Sequence, residues 1–145
     1  MQPFNWTSVK SKPCVRSSVY LSKGFFMLYT KSIQAQKEIH DGIRISTMRK
    51  PRGDYDLVIS SLAPSQELLQ SYHDQKITWD VYEQAFLLEI QNNPDAQRML
   101  QFIINVEKFT NVTLLCWEQT PDQCHRRLIT ELINAISINI DITLK

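Results

Sequence analysis

Apolar residues recur along this chain at two spacings, and each spacing predicts a different kind of element. The run from Phe25 to Tyr29 reads as a strand, and "IRIST" at 43–47 alternates as a second strand does. "VTLLCW" at 112–117 is six apolar or β-branched residues without alternation, the pattern of a strand covered on both faces in a parallel sheet. Helical spacing appears elsewhere. "KSIQAQKEIHDG" sets Ile33, Lys37 and Ile39 around a polar face and ends at Gly42, a C-terminal stop. Three helices in a row follow. "LAPSQELLQSYH" offers Ser65 as N-cap with Glu67 in the first turn. "ITWDVYEQAFLLEIQ" has Thr78 as cap and Val81, Tyr82, Ala85, Phe86 and Leu88 toward a core. "NNPDAQRMLQFIINVEKF" has Asn93 as cap, Pro94 at the first helical position and Asp95 beside the positive end. At the far end "ISINIDITL", 136–144, alternates isoleucine with polar residues and predicts a late edge strand.

Strands alternating with helices around a buried central strand predict an α/β fold: a small, mostly parallel sheet with helices on both faces, Rossmann-like or flavodoxin-like in three layers, plus a C-terminal edge strand. Residues 27–145 form the expected single domain. Residues 1–26 read as a basic extension, poorly ordered, with Lys10, Lys12, Arg16 and Lys23 and no acid. That composition suits a transit peptide or a disordered tail, and Met27 would serve as a start.

Composition narrows the function classes. The chain has 145 residues, 43% hydrophobic and 21% charged, enough for one core, and a net charge of +1 that exerts no overall pull on nucleic acid or anionic membrane. Anion binding must therefore come from a local cluster. The three cysteines, irregularly spaced, make no disulfide framework, which favours the cytoplasm. Apolar runs fall short of the ~18 residues a membrane span needs. With three glycines there is no glycine-rich phosphate cradle, and no arginine stands six positions after Cys116 or Cys124 as in a cysteine-phosphatase loop.

One stretch concentrates the chemistry: "LLCWEQTPDQCHRR", 114–127. Thr120, Pro121, Asp122 and Gln123 form a helix-start signal, so Cys124 and His125 fall in or just after a first turn. Leu128, Leu132 and Ile136 continue the face of Cys124, and Ile129 and Ile133 that of His125. Arg127 pairs with Glu131 at i,i+4 and belongs to solvent, while Arg126 lies near the rim. Carboxyl ends of parallel strands are where open α/β folds bind ligands, so Cys116 and Glu118 sit at such an edge. The loop "MRKPRG" after the second strand opens on the same edge, bringing Arg49 and Arg52 near Cys124. A cysteine at a helix start close to arginine has a lowered pKa, and histidine moves protons near neutrality. The plainer readings are inert buried cysteines, a core histidine and an arginine–glutamate staple. Zinc through Cys116, Cys124 and His125 matches no common module and lacks an evident fourth ligand, so neither metal nor cofactor is expected.

The order "MLYTKSI", "IRISTMRKPRG", "LAPSQELLQSYHDQKITWDVYEQAFLLEI", "VTLLCWEQTPDQCHRRLI" resembles the domain-of-unknown-function 488 family over roughly residues 27–135. The "LAPS" helix start and the "LLCWE…CHR" ending are its most specific parts. The resemblance marks Cys116, Glu118, Cys124, His125 and Arg126, with Arg49 and Pro51 in the arginine-bearing early loop. That loop has "RKPRG" where one branch has tryptophan–proline–arginine–glycine. Positions follow from this resemblance; a reaction does not. Two functions remain open. One is an enzyme-like domain for a small anionic ligand, a nucleotide or phosphorylated group, with Arg49, Arg52 and Arg126 holding the anion and Cys116, Glu118, Cys124 and His125 as catalytic groups. The other is a nucleic-acid- or protein-binding module using the same basic rim, with Trp117 or Tyr55 stacking on a base.

Overall fold

The computed structural model describes residues 19–21, 26–119 and 122–144. Five strands lie in the order β1-β2-β5-β3-β4, with β1 (Val19–Leu21), β2 (Met27–Ser32), β3 (Ile43–Ser46), β4 (Leu57–Val58) and β5 (Val112–Cys116). Strands β2 to β4 and β5 are mutually parallel, and β1 joins the edge antiparallel. With α1 (Gln66–His73), α2 (Trp79–Gln91), α3 (Pro94–Val106) and α4 (His125–Leu144), this is a small α/β three-layer fold. Of the first 26 residues only β1 and Phe26 are described; the remainder, and the suggested leader there, lie outside the described residues.

Strand β5 is buried at all five positions, as its unbroken apolar run requires in a sheet centre. Its register puts Ser32 opposite Cys116 on one side and Ser46 opposite Leu115 on the other. Side-chain alternation then sorts the faces. Leu28, Ile45, Val112 and Leu114 join Phe86, Ile103, Leu128 and Leu132 in the main core. Arg44, Thr113 and Leu115 face the other way, where Arg44 donates to Asp41 and Lys31 reaches Asp41 at 2.8 Å.

The three central helices form where their caps predict. Ser65 Oγ accepts from the Leu68 amide, Thr78 from that of Val81, and Asn93 from those of Asp95 and Ala96. On α2, however, Val81 and Leu88 are half exposed, and Tyr82, Glu83, Phe86 and Ile90 make the buried stripe.

Two predicted elements are replaced. Residues 31–42 are no helix: β2 runs on to Ser32, turns follow, and only Ile39–Asp41 make a 3-10 turn. Ile33 and Ile39 are six residues apart, which cannot line one helical face, and Ile39 is fully exposed. Gly42 still ends the segment, at φ 64, where a Cβ would meet the Asn111 carbonyl oxygen at 2.0 Å. The C-terminal edge strand is also absent, because α4 continues through 136–144. Leu128, Ile129, Leu132, Ile133 and Ile136 set a helical stripe on the core, and with no glycine or proline after it extension is cheaper than starting a strand. Among the described residues no helix is long and apolar enough to cross a membrane.

Candidate active site

Three separate parts of the chain meet at the carboxyl ends of β3 and β5. Cys116 closes β5, Thr47 follows β3, and His125 opens α4. Helix α4 starts later than the helix-start signal places it: Asp122 and Gln123 lie in a turn, and Thr120 and Pro121 are outside the described residues. Gln123 instead accepts a hydrogen bond from the Tyr72 hydroxyl at 2.6 Å.

His125 is held by Thr47. Its Nε2 lies 2.7 Å from the Thr47 carbonyl and 3.2 Å from Thr47 Oγ1, and Phe86 packs edge-on against the ring. A carbonyl only accepts, so Nε2 carries a proton; the Cys116 sulfur lies alongside the ring, 3.9 Å from Nε2. Nδ1 stands 3.8 Å from Cys116 Sγ and 4.0 Å from Cys124 Sγ. Glu118 completes the group: its Oε2 accepts from Cys116 Sγ at 2.8 Å and from Cys124 Sγ at 3.2 Å.

Burial and contact pull these groups apart electrostatically. The hydrogen bond from Cys124 lowers the Cys116 pKa to about 6, helped by the nearby His125 and opposed by burial. Cys124 moves the other way, raised by burial and by the charges of Cys116 and Glu118. His125 is raised: burial would lower it, but the Cys116 sulfur and the Thr47 carbonyl favour the imidazolium. Burial raises Glu118, yet hydrogen bonds from Cys116, its own amide and Cys124 bring it below the usual carboxylate range. Cys116, as a thiol, donates to Glu118, and its proton is the easiest of the cluster to lose; once it is lost, Cys116 and His125 form a thiolate–imidazolium pair beside one protonated thiol and one carboxylate.

A cleft of about 350 Å³ opens above it, with Cys116, Glu118 and His125 at the floor. Arg49, Lys50, Arg52 and Trp117 line one side, and Gln66, Gln70 and His73 of α1 line the other. Arg49 Nη1 donates to the Pro64 carbonyl at 3.4 Å, and the Arg52 guanidinium sits 5.4 Å from the centre of the Trp117 ring.

Arg126, expected beside Arg49, does not line the cleft with it. Arg126 is 1% exposed and absent from the cleft lining; Cys124 likewise lies behind the floor. Arg127 is not solvated either. It keeps the predicted pairing with Glu131 at 3.2 Å but is buried, because Glu83 on α2 meets it at 3.1 Å. Sequence reasoning passed over Thr47, Lys50 and the α1 residues. Thr47 acts partly through its carbonyl, which no side-chain pattern announces. His73 lines the cleft from the exposed last position of α1.

The sulfurs of Cys116 and Cys124 and a His125 nitrogen lie within 4.8 Å of one another, close enough for a soft divalent cation. Glu118 Oε2 is the natural fourth donor. Yet zinc bonds of about 2.3 Å to sulfur and 2.0 Å to oxygen would hold tetrahedral co-ligands roughly 3.5 Å apart. The 2.8 Å between Glu118 and Cys116 is instead the spacing of a thiol donating to a carboxylate.

Fold and floor together define a small α/β domain with a paired-cysteine, histidine and glutamate site at the carboxyl edge of its sheet. The sequence profile of the DUF488-N3a family, the active DUF488-N3 subclade, matches residues 28–137, and the chain belongs to that family. Neither a curated protein nor a solved structure matches it.

Proposed function

We propose that the cleft is the active site of a cysteine-dependent enzyme acting on a small anionic substrate of the nucleotide or phosphorylated class. Cys116 is the nucleophile, Cys124 holds its charge by donating a hydrogen bond, and His125 carries the proton that a leaving group needs. The Cys116 sulfur and the Thr47 carbonyl keep the imidazolium charged, with Glu118 adding to them. Arg49, Lys50 and Arg52 attract the anion, while Arg126 acts from behind the floor through its field on Cys124. A cytoplasmic setting fits, since both described cysteines are free thiols.

One observation supports this reading above the rest: of the two thiols, the one with the lowered pKa is the one lining the cleft. Isothermal titration with pyrophosphate and with nucleoside monophosphates tests it. Binding is expected for at least one, weakened about tenfold in Arg52→Ala, as loss of a charge-assisted contact implies. No heat with any of them, at concentrations up to millimolar, contradicts the anionic substrate class.

A second reading draws on Trp117, 49% exposed beside Arg52, an arrangement suited to stacking on a base in a nucleic-acid module. Mobility shift of single-stranded DNA and RNA at rising salt separates the two, since a module binds with a marked salt slope.

A further inference from the structure

The cluster holds a second thiol that the chemistry above uses only as a hydrogen-bond donor. Cys124 is buried just behind Cys116, and both sulfurs lean on one oxygen, Glu118 Oε2. They lie within 4.8 Å of each other. A disulfide brings sulfurs to about 2.05 Å, so closure requires them to approach by less than about 3 Å. Only Cys116 opens on the cleft. Both are nearly buried, at 3% and 2% exposure, so the distinction is one of position: a small reagent in the cleft meets Cys116 first, with Cys124 behind it.

We propose that Cys116 and Cys124 form an oxidation site, in which a hydroperoxide entering the cleft converts them to an intramolecular disulfide. The proposal rests on the reading of Cys116 as the reactive thiolate of the cleft. In the first step the Cys116 sulfur attacks the terminal oxygen of the hydroperoxide and the O–O bond breaks. The departing alkoxide takes the His125 proton and leaves as an alcohol, and Cys116 becomes a sulfenic acid. In the second step Cys124 gives its proton to Glu118 or the now neutral His125, and its sulfur attacks that of Cys116. The S–O bond breaks, and the released hydroxide recovers a proton to leave as water. Two thiols and one hydroperoxide give one disulfide, one alcohol and one water; the dithiol supplies both electrons.

The order of events is built into the cluster. While Cys116 is a thiolate, its charge and its hydrogen bond help keep Cys124 protonated. A sulfenic acid carries no such charge, so oxidation of the first sulfur removes two of the restraints on the second. Glu118 Oε2, 3.2 Å from Cys124 Sγ, and His125 Nδ1, at 4.0 Å, are the acceptors for its proton. The disulfide would silence the nucleophile and spare it from further oxidation.

The test uses the full chain carrying Cys14→Ser, which removes the third thiol. No lysine or arginine lies between Phe109 and Arg126, so trypsin releases both cysteines on one peptide, 109–126. One equivalent of hydrogen peroxide is expected to make that peptide about 2 Da lighter, reversibly with dithiothreitol. Adding Cys124→Ser should replace the disulfide with a dimedone-trapped sulfenic acid on Cys116, at an unchanged melting temperature. Adding Cys116→Ser should slow oxidation of Cys124 at least tenfold. A peptide that keeps its reduced mass, or Cys116 reaching sulfinic acid as fast with Cys124 as without it, overturns the proposal. If Cys116 alkylates readily at pH 7 but no disulfide forms, this inference fails alone. If Cys116 is inert to alkylation, the reading of the active site fails with it.

Discussion

Arg127, 6% exposed, is surrounded by two carboxylates and an indole: Glu83 at 3.1 Å, Glu131 at 3.2 Å and Trp79 at 5.8 Å. Glu83 is itself buried on α2, so the pair ties α4 to α2 directly beneath the site. Removing one partner of a buried ion pair leaves the other uncompensated, which typically costs about 3–5 kcal/mol. Arg127→Ala should therefore lower the free energy of urea unfolding by about 3 kcal/mol, and Glu131→Gln, whose partner keeps Glu83, by clearly less. Equal small losses in both variants would show that Arg127 is solvated after all. Two positions away, His125 is fixed by one carbonyl and one hydroxyl from Thr47, which hold a proton at Nε2 and leave Nδ1 to exchange one with the cluster.

At the scale of elements, the end of α3 carries a built-in pH dependence. Glu107 follows the last residue of the helix, where the dipole is negative, and burial raises its pKa from 4.5 to about 7, with Lys108 offering slight relief. A carboxyl raised in the folded state stabilises fully below its unfolded value, and that contribution is lost as pH rises through about 7. Glu107→Gln should flatten this decline and gain about 1–3 kcal/mol at pH 8, with little change at pH 4. Urea midpoints at the two pH values check it; a loss at pH 8 would mean that the carboxylate is well solvated. The elements themselves were legible where their signals are local. Ser65, Thr78 and Asn93 cap helices through amides two or three residues away, and β5 has as its one polar residue the β-branched Thr113, which suits a strand. The tail of α4 was not legible, because isoleucines at every second position satisfy a strand template while the stripe that decides the matter lies earlier, at Leu128 to Ile133. Cys116, Glu118, Cys124 and His125 could be found together because a short turn joins their strand and helix. The burial of Arg126 and Arg127 could not, since an arginine read alone suggests solvent, and Glu83 comes from 44 residues away.

Across the whole molecule, the site exists only because β3, β5 and α4 converge. The parallel register sets Thr47 beside Cys116, the packed face of α4 brings in His125, and the loop after β3 carries the cations to the rim. Net charge of +1 conceals this local asymmetry, in which three cations line the cleft and one carboxylate lies at its floor. Iodoacetate, an anion, should consequently alkylate Cys116 faster relative to neutral iodoacetamide than it does a free thiol, and the advantage should shrink as potassium chloride rises toward 1 M, where the Debye length is about 3 Å. A ratio equal to that of free cysteine at low salt would remove the electrostatic case for an anionic substrate. The most direct test of the account is the rate of iodoacetamide addition to Cys116 against pH, read peptide by peptide in the mass spectrometer. A thiolate held by Cys124 and His125 predicts a rate rising to a plateau with a midpoint near pH 6, moving upward in Cys124→Ala. A midpoint at 9 or above, or no labelling of Cys116 before the protein unfolds, would contradict it.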